Sequence, residues 1–176
     1  IYAQTWPHVD RTDLAALEKY VAAGYVGPQL FRAHSFSSTF LGIRLEGRNE
    51  EEILGGFRQE TRYHVRKSEK MGLALRFGRT KEDLKQSYDL LQANARYHGF
   101  QPRPYSNLEM AFERLVLKDR AFLIQAWKDD ALVGTMVLLL AGRTATYWNG
   151  AIDRRFSGLY PSEFMHLHAL RHAKER

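Results

Sequence analysis

The sequence predicts a mixed α/β fold in which helices flank a mostly antiparallel central sheet. Two patterns carry that prediction. Three strand-like runs, AFLIQAW, LVGTMVLLL and TATYWNGAI, fall between residues 121 and 152, separated only by Lys128-Asp129-Asp130-Ala131 and by Ala141-Gly142-Arg143. Connections that short join antiparallel neighbours, so the three runs form a meander. On either side of it, apolar residues recur at spacings of three and four, the period of helices that bury one face.

Taken in order, Tyr2 to Trp6 reads as a short strand ended by Pro7, and Asp10 caps a helix with Leu14, Leu17 and Val21 inward and Gly24 at its end. Residues 25–37 read as loop. In STFLGIRL, Thr39, Leu41, Ile43 and Leu45 alternate onto one face, a strand broken by Gly47 and Asn49. Asn49 with Glu52 makes a capping box for a short helix bearing Ile53, Leu54 and Phe57, which Gly55 and Gly56 weaken. A basic helix follows and ends at Gly72. Leu73, Leu75 and Phe77 then alternate as a strand, and Thr80 with Asp83 opens a long helix lined by Leu84, Tyr88, Leu91 and Ala95 and ended by Gly99. Pro102 and Pro104 keep GFQPRPY out of regular helix, after which Ser106 with Glu109 reads as a capping box for a helix burying Leu108, Ala111, Phe112 and Leu115. Within the meander, the continuous apolar MVLLL fits a central strand covered on both faces. After Ile152, DRRFSGLYPSE leads into a last helix with Phe164, Leu167, Leu170 and Ala173 inward.

Composition narrows the function classes. With 176 residues, 44% of them hydrophobic, the chain can bury one well-packed core, or one core and part of another. A net charge of +6 favours acidic partners such as phosphates, nucleic acid or anionic lipid. A chain without cysteine has no disulfide framework, zinc-thiolate site or cysteine nucleophile. The longest apolar run, ALVGTMVLLLA, is well short of the roughly 18 residues of a membrane span, so a soluble protein is expected. The N-terminal IYAQTWPHV lacks an initiator Met and a signal-peptide pattern, and RHAKER stops inside a helical pattern without a terminator. Both ends therefore read as cut from a longer protein.

The charge pattern that most needs explaining is ETRYHVRKSEKMG, residues 60–72. On a helix, Arg58, Arg62, Arg66 and Lys70 share one stripe, with Lys67 beside it, and like charges at that spacing repel by about 0.2–0.5 kcal/mol per pair. Two readings fit: an anionic ligand neutralises the stripe, or it is a solvated face in which Glu60 pairs with His64 and Glu69 with Arg66. In HLHALRH, His168 and His172 share a face and Glu163 with His166 makes one Glu-x-x-His, but the pattern supplies no further ligands, so a solvated face and no metal site are expected.

From Leu73 onward the order strand, helix, helix, three antiparallel strands, helix resembles the first two thirds of a GNAT-type acyltransferase. In that fold a [QR]-x-x-G-x-[GA] loop after the fourth strand cradles the pyrophosphate of acyl-CoA. Here Arg155-Phe156-Ser157-Gly158-Leu159-Tyr160 stands at that place, with Tyr160 where the motif has a small residue and Pro161 directly after it. Arg155 and Gly158 are accordingly the candidates for an acyl-CoA loop; the other reading is a plain strand-to-helix turn.

Residues 60–72 carry a second likeness. Thr61, Arg62, Tyr63, Val65, Arg66, Lys67, Ser68, Lys70 and Gly72, behind the acidic stretch RNEEE, resemble a segment of the Fem family of aminoacyl-tRNA-dependent peptidyltransferases. The strand STFLGIRL, the long helix ending in RYHGF, the Arg103/Tyr105 loop and the late aromatic strand follow in the family's order. Such enzymes resemble two GNAT-like subdomains in tandem. The likeness implies that residues 1–37 end a preceding half-domain or linker and that 38–176 form the second subdomain, incomplete at its C-terminus. It implies a cytoplasmic enzyme, with association at the inner membrane face as a further expectation, that moves an amino acid from aminoacyl-tRNA to the stem peptide of a lipid-linked or nucleotide-linked peptidoglycan precursor. No cofactor is then needed beyond the charged tRNA, and the chain alone would lack half of the groove.

Aminolysis of an aminoacyl ester requires the amine held against the carbonyl, a route for its proton, and stabilisation of the oxyanion. No Ser-His-Asp arrangement and no general base is legible. By motif position, Arg103 and Tyr105 are the leading substrate contacts, followed by Tyr147 and Asn149, which alternation places on one face of the last strand. Arg62, Arg66, Lys67 and Lys70 are expected to meet phosphates of tRNA or precursor. The alternatives are an acyl-CoA-dependent N-acyltransferase using acetyl-CoA, and a non-enzymatic module that binds RNA or an anionic surface.

Overall fold

A computed structural model describes residues 42–175. The strand expected at 2–6, the helix after Asp10, the loop at 25–37 and the first half of STFLGIRL lie outside the described residues. The rest of that run, residues 42–45, has no regular secondary structure, and Ile43 is exposed. Its alternation finds no neighbouring strand among the described residues, and without a ladder an alternating segment has no face to bury.

Five helices and four strands follow: α1 (Glu50–Gly55), α2 (Gln59–Glu69), β1 (Ala74–Gly78), α3 (Lys81–His98), α4 (Tyr105–Arg114), β2 (Ala121–Lys128), β3 (Ala131–Ala141), β4 (Thr144–Ile152) and α5 (Pro161–Lys174). Short 3-10 turns stand at Val116–Lys118 and Arg154–Leu159. The strands form one sheet in the order β1-β2-β3-β4, antiparallel throughout. Its two faces are covered by different helices. Phe122, Ile124, Met136 and Leu138 pack against Phe164, Met165 and Ala169 of α5. The opposite side chains, Leu123 and Val137, pack against Leu84 and Tyr88 of α3 and Leu108 and Phe112 of α4. This is why MVLLL runs apolar without alternation: β3 lies between β2 and β4, and both of its faces are covered.

Local signals set most helix ends. The Asn49 carboxamide accepts the Glu52 amide at 2.9 Å while Glu52 accepts the Asn49 amide at 2.7 Å. The same reciprocal pair, Thr80 with Asp83, opens α3, and Gly99 closes it at φ +72°, a conformation that favours glycine. The Ser106 box does not form. Helix α4 starts two residues earlier, at Tyr105, because the Pro104 carbonyl takes the Asn107 amide at 3.0 Å and leaves Ser106 inside the first turn. A buried polar tie fixes α3 to the sheet. Gln125, fully buried on β2, donates to the Asp83 carbonyl and the Ser87 hydroxyl, both at 2.9 Å. Such a group is costly to bury unless satisfied in this way.

Candidate active site

The site is built on an irregularity of β4. Val137 pairs with Asn149 and Leu138 with Tyr147, so Trp148 is an extra residue in a β-bulge. The bulge overturns the expectation that Tyr147 and Asn149 share a face. Tyr147 stands opposite Leu138 on the α5 side, half exposed, with its ring 5.4 Å from that of His166. Burial of the remainder pushes the Tyr147 phenol above its ordinary value, so it stays protonated at neutral pH. Asn149 stands opposite Val137, on the side of α3 and α4. Its Oδ1 is buried without a partner among the described residues.

The proline-bounded loop meets β4 on that second side. The Arg103 guanidinium lies 5.8 Å from the Trp148 ring centre, and the Arg103 carbonyl accepts the Tyr88 hydroxyl at 3.2 Å. Tyr105 sits edge-on to Tyr88 at 5.2 Å. Arg103 is therefore exposed at the rim with its backbone anchored, whereas Tyr105 is half-buried and seals the loop onto α3. Arg154 stacks on Tyr97 at 3.5 Å, joining the turn after β4 to the end of α3. The four residues expected to contact substrate thus fall into two groups around one strand: Arg103, Tyr105 and Asn149 on one side, Tyr147 on the other.

The basic helix divides as well. Arg62 turns back and donates to the carbonyls of Gly55 and Phe57, at 3.1 and 2.7 Å, satisfying the end of α1. Its Nη1 is thereby committed to the fold. Val65 and Ser68 are buried in the face that packs on α5. Arg66 and Lys70 are exposed and make no ion pair among the described residues. Lys67 lies over the rings of Tyr160 and Tyr63, at 5.2 and 5.6 Å, and those phenols, Tyr160 foremost, hold its ammonium above the ordinary value. The solvated-face pairings do not form. His64 stands 3.4 Å from Glu163 and Glu69 binds Arg171, because α5 supplies nearer partners across the interface. We expect Arg62→Gln to cost about 1 kcal/mol in urea unfolding. Arg66→Gln, at an exposed position without an ion pair among the described residues, should leave the midpoint unchanged.

RRFSGLY forms the 3-10 turn Arg154–Leu159. Arg155 is held by Asp153, its Nη2 2.6 Å from the carboxylate, which keeps the Asp153 carboxyl below its usual range. Gly158 has open space around it. At the start of α5, Pro161 has no N–H to offer, Glu163 adds a negative charge, and the Tyr160 ring stacks on His64 at 4.2 Å. Sequence reasoning passed over Trp148 and Arg171, and read His166 only within a solvated histidine face. Trp148 depends on a bulge, which leaves no local signal.

Among the described residues no group of three His, Asp or Glu side chains is placed to hold a metal ion, and no helix is long and apolar enough to cross a membrane. An antiparallel sheet whose bulged fourth strand leads through a turn into a helix is the framework of a GNAT-type acyltransferase. The chain belongs to that family, since the acetyltransferase (GNAT) domain matches residues 55–176. The fold expected from the element order is therefore borne out. Among solved structures the chain is similar to FemX, with a TM-score of 0.69 and 17% identity over 73% of this chain and 48% of FemX. At that identity the likeness is one of fold, and the chain spans about half the length of FemX. It is also similar to the PaiA N-acetyltransferase from Thermoplasma acidophilum in complex with coenzyme A, with 14% identity over 58% of this chain and 73% of that one and a TM-score of 0.43. No curated protein matches the sequence.

Proposed function

We propose that the protein transfers an amino acid from aminoacyl-tRNA to an amine of a peptidoglycan-precursor stem peptide, with residues 38–176 as its second GNAT-like subdomain. One observation carries the choice of donor: the residues at the start of α5 do not fit a coenzyme A pyrophosphate. A diphosphate cradle needs free amides at a helix N-terminus and no opposing charge. Here Pro161 removes an amide, Glu163 opposes a phosphate, Arg155 is occupied by Asp153, and Tyr160 stacks on His64 at the helix end. A donor held through its RNA has no need of that cradle. Arg66, Lys67 and Lys70 supply exposed or half-exposed cations for its phosphates, and Arg103 at the β4 rim supplies a fork for a phosphate or carboxylate of the acceptor. In this reading Tyr147, exposed and protonated beside the bulge, orients the reacting carbonyl.

The test uses the full-length protein with charged tRNA and with lipid-linked or nucleotide-linked precursor, reading the mass of the product. One added amino-acid residue is the expected result. Absence of the added mass, together with acetyl-CoA binding by calorimetry that Gly158→Trp abolishes, would replace this reading with the acyl-CoA one.

A further inference from the structure

We propose that His166 is the general base of the transfer, taking the proton of the acceptor amine on its Nε2. The inference rests on the acyl-transfer reading above. An amine that attacks an ester carbonyl must lose a proton, and a side chain placed to accept it typically contributes about 10²–10⁴-fold in rate. Three histidines lie on α5, and two are half-buried. His172 packs against Phe77 and Phe122, with its Nε2 buried and unpartnered among the described residues. His168 packs on Phe164, and burial, with the neighbouring Arg171, pushes its imidazole below the ordinary value. His166 is exposed and stands beside Tyr147 at the outer strand of the described sheet.

Its orientation is set by the helix. Nδ1 lies 2.8 Å from the Ser162 carbonyl, which can only accept, and 3.5 Å from the Ser162 hydroxyl. The neutral ring therefore carries its proton on Nδ1 and keeps the lone pair on Nε2. Tyr147 from β4 and Ser162 from α5 are polar groups placed against the ring. The Tyr147 hydroxyl reaches back over Gly150, where an added Cβ would lie 3.0 Å from it, so the absence of a side chain at 150 lets the phenol lie on the His166 side of the bulge.

In the step, the amine nitrogen forms a bond to the ester carbonyl carbon as the π pair moves onto oxygen, and one N–H proton passes to Nε2. The oxyanion then re-forms the carbonyl, the ester C–O bond breaks, and the ribose oxygen takes the proton back from Nε2. The products are an amide and an alcohol, and the imidazole returns to its neutral form.

The test compares full-length wild type with His166→Ala and His166→Gln, using charged tRNA and, separately, acetyl-CoA as donor. We expect kcat to fall about 100-fold in both variants with donor KM within about threefold. The acidic limb of the rate profile should vanish, and added imidazole should restore part of the His166→Ala rate. Independently of any substrate, long-range proton–nitrogen spectra should show the Nδ1–H tautomer at His166. An Nε2–H tautomer, or a His166→Ala enzyme within threefold of wild type with its acidic limb intact, overturns the assignment. Turnover with acetyl-CoA alone removes the aminoacyl reading while the same comparison still judges His166, and inertness toward both donors overturns both.

Discussion

Gly150→Ala is expected to lower stability by about 2–3 kcal/mol and to abolish most of the transfer activity. A Cβ at this position would lie 2.7 Å from the Thr135 carbonyl oxygen and 3.0 Å from the Tyr147 hydroxyl. The first contact is with backbone, and that backbone belongs to β3, which is paired on both sides and cannot retreat without disturbing β2 or β4. Overpacking of this kind costs about 1–3 kcal/mol, and the fixed obstacle puts Gly150 at the upper end. The second contact displaces Tyr147 from its place beside His166. Two other glycines calibrate the effect. At Gly134 a Cβ would meet the Met165 terminal methyl at 2.7 Å, but a thioether end can swing away, so Gly134→Ala should cost less. At Gly158 nothing lies within 4 Å, so Gly158→Ala should match wild type. Urea unfolding of the three variants decides the matter, and a Gly150→Ala midpoint equal to that of Gly158→Ala would show that the β3–β4 ladder gives way freely.

What could be read before the structure divides by the range of the interaction. The Asn49/Glu52 and Thr80/Asp83 boxes are pairs three residues apart, and both form where expected. The meander was legible because its two connections are too short for anything but hairpins. Where two local signals competed, the stronger backbone constraint prevailed, as at Pro104 over Ser106. The bulge at Trp148 could not be read, because alternation in TATYWNGAI is the same with or without it and the register is set by β3. The site shared this fate. Arg62 was recognised as part of a motif, yet its work, closing the end of α1, depends on a chain reversal between two helices that no spacing rule reports.

Arg171→Met is expected to cost about 2 kcal/mol at neutral pH, the largest effect of any single surface charge among the described residues. The guanidinium donates through Nε and Nη2 to both Glu50 oxygens at 2.7 Å and through Nη1 to Glu69 at 2.9 Å. It thereby fastens the start of α1 and the end of α2 to α5, across 121 and 102 residues of sequence. Exposed pairs contribute about 0.2–1 kcal/mol, and breaking a buried one costs about 3–5. With Arg171 33% exposed and its carboxylates 44% and 38%, water screens part of the attraction, and a value between those limits follows. The Arg171 hydrogen bond holds the Glu50 carboxyl below its usual range against the opposing effect of burial, while Glu50 in turn raises Arg171. A carboxyl depressed in the folded state contributes stability above its unfolded value, about 4.3, and loses it as pH falls through the folded value. The deficit of Arg171→Met should therefore be full at pH 7 and shrink below about pH 4. Arg171→Lys should recover only part of it, because an ammonium cannot span both Glu50 oxygens and Glu69 in one plane. Denaturation of both variants at pH 7 and pH 3.5 measures each quantity, and a deficit that stays constant between those pH values would mean that Arg171 acts by packing its aliphatic stem and not by charge.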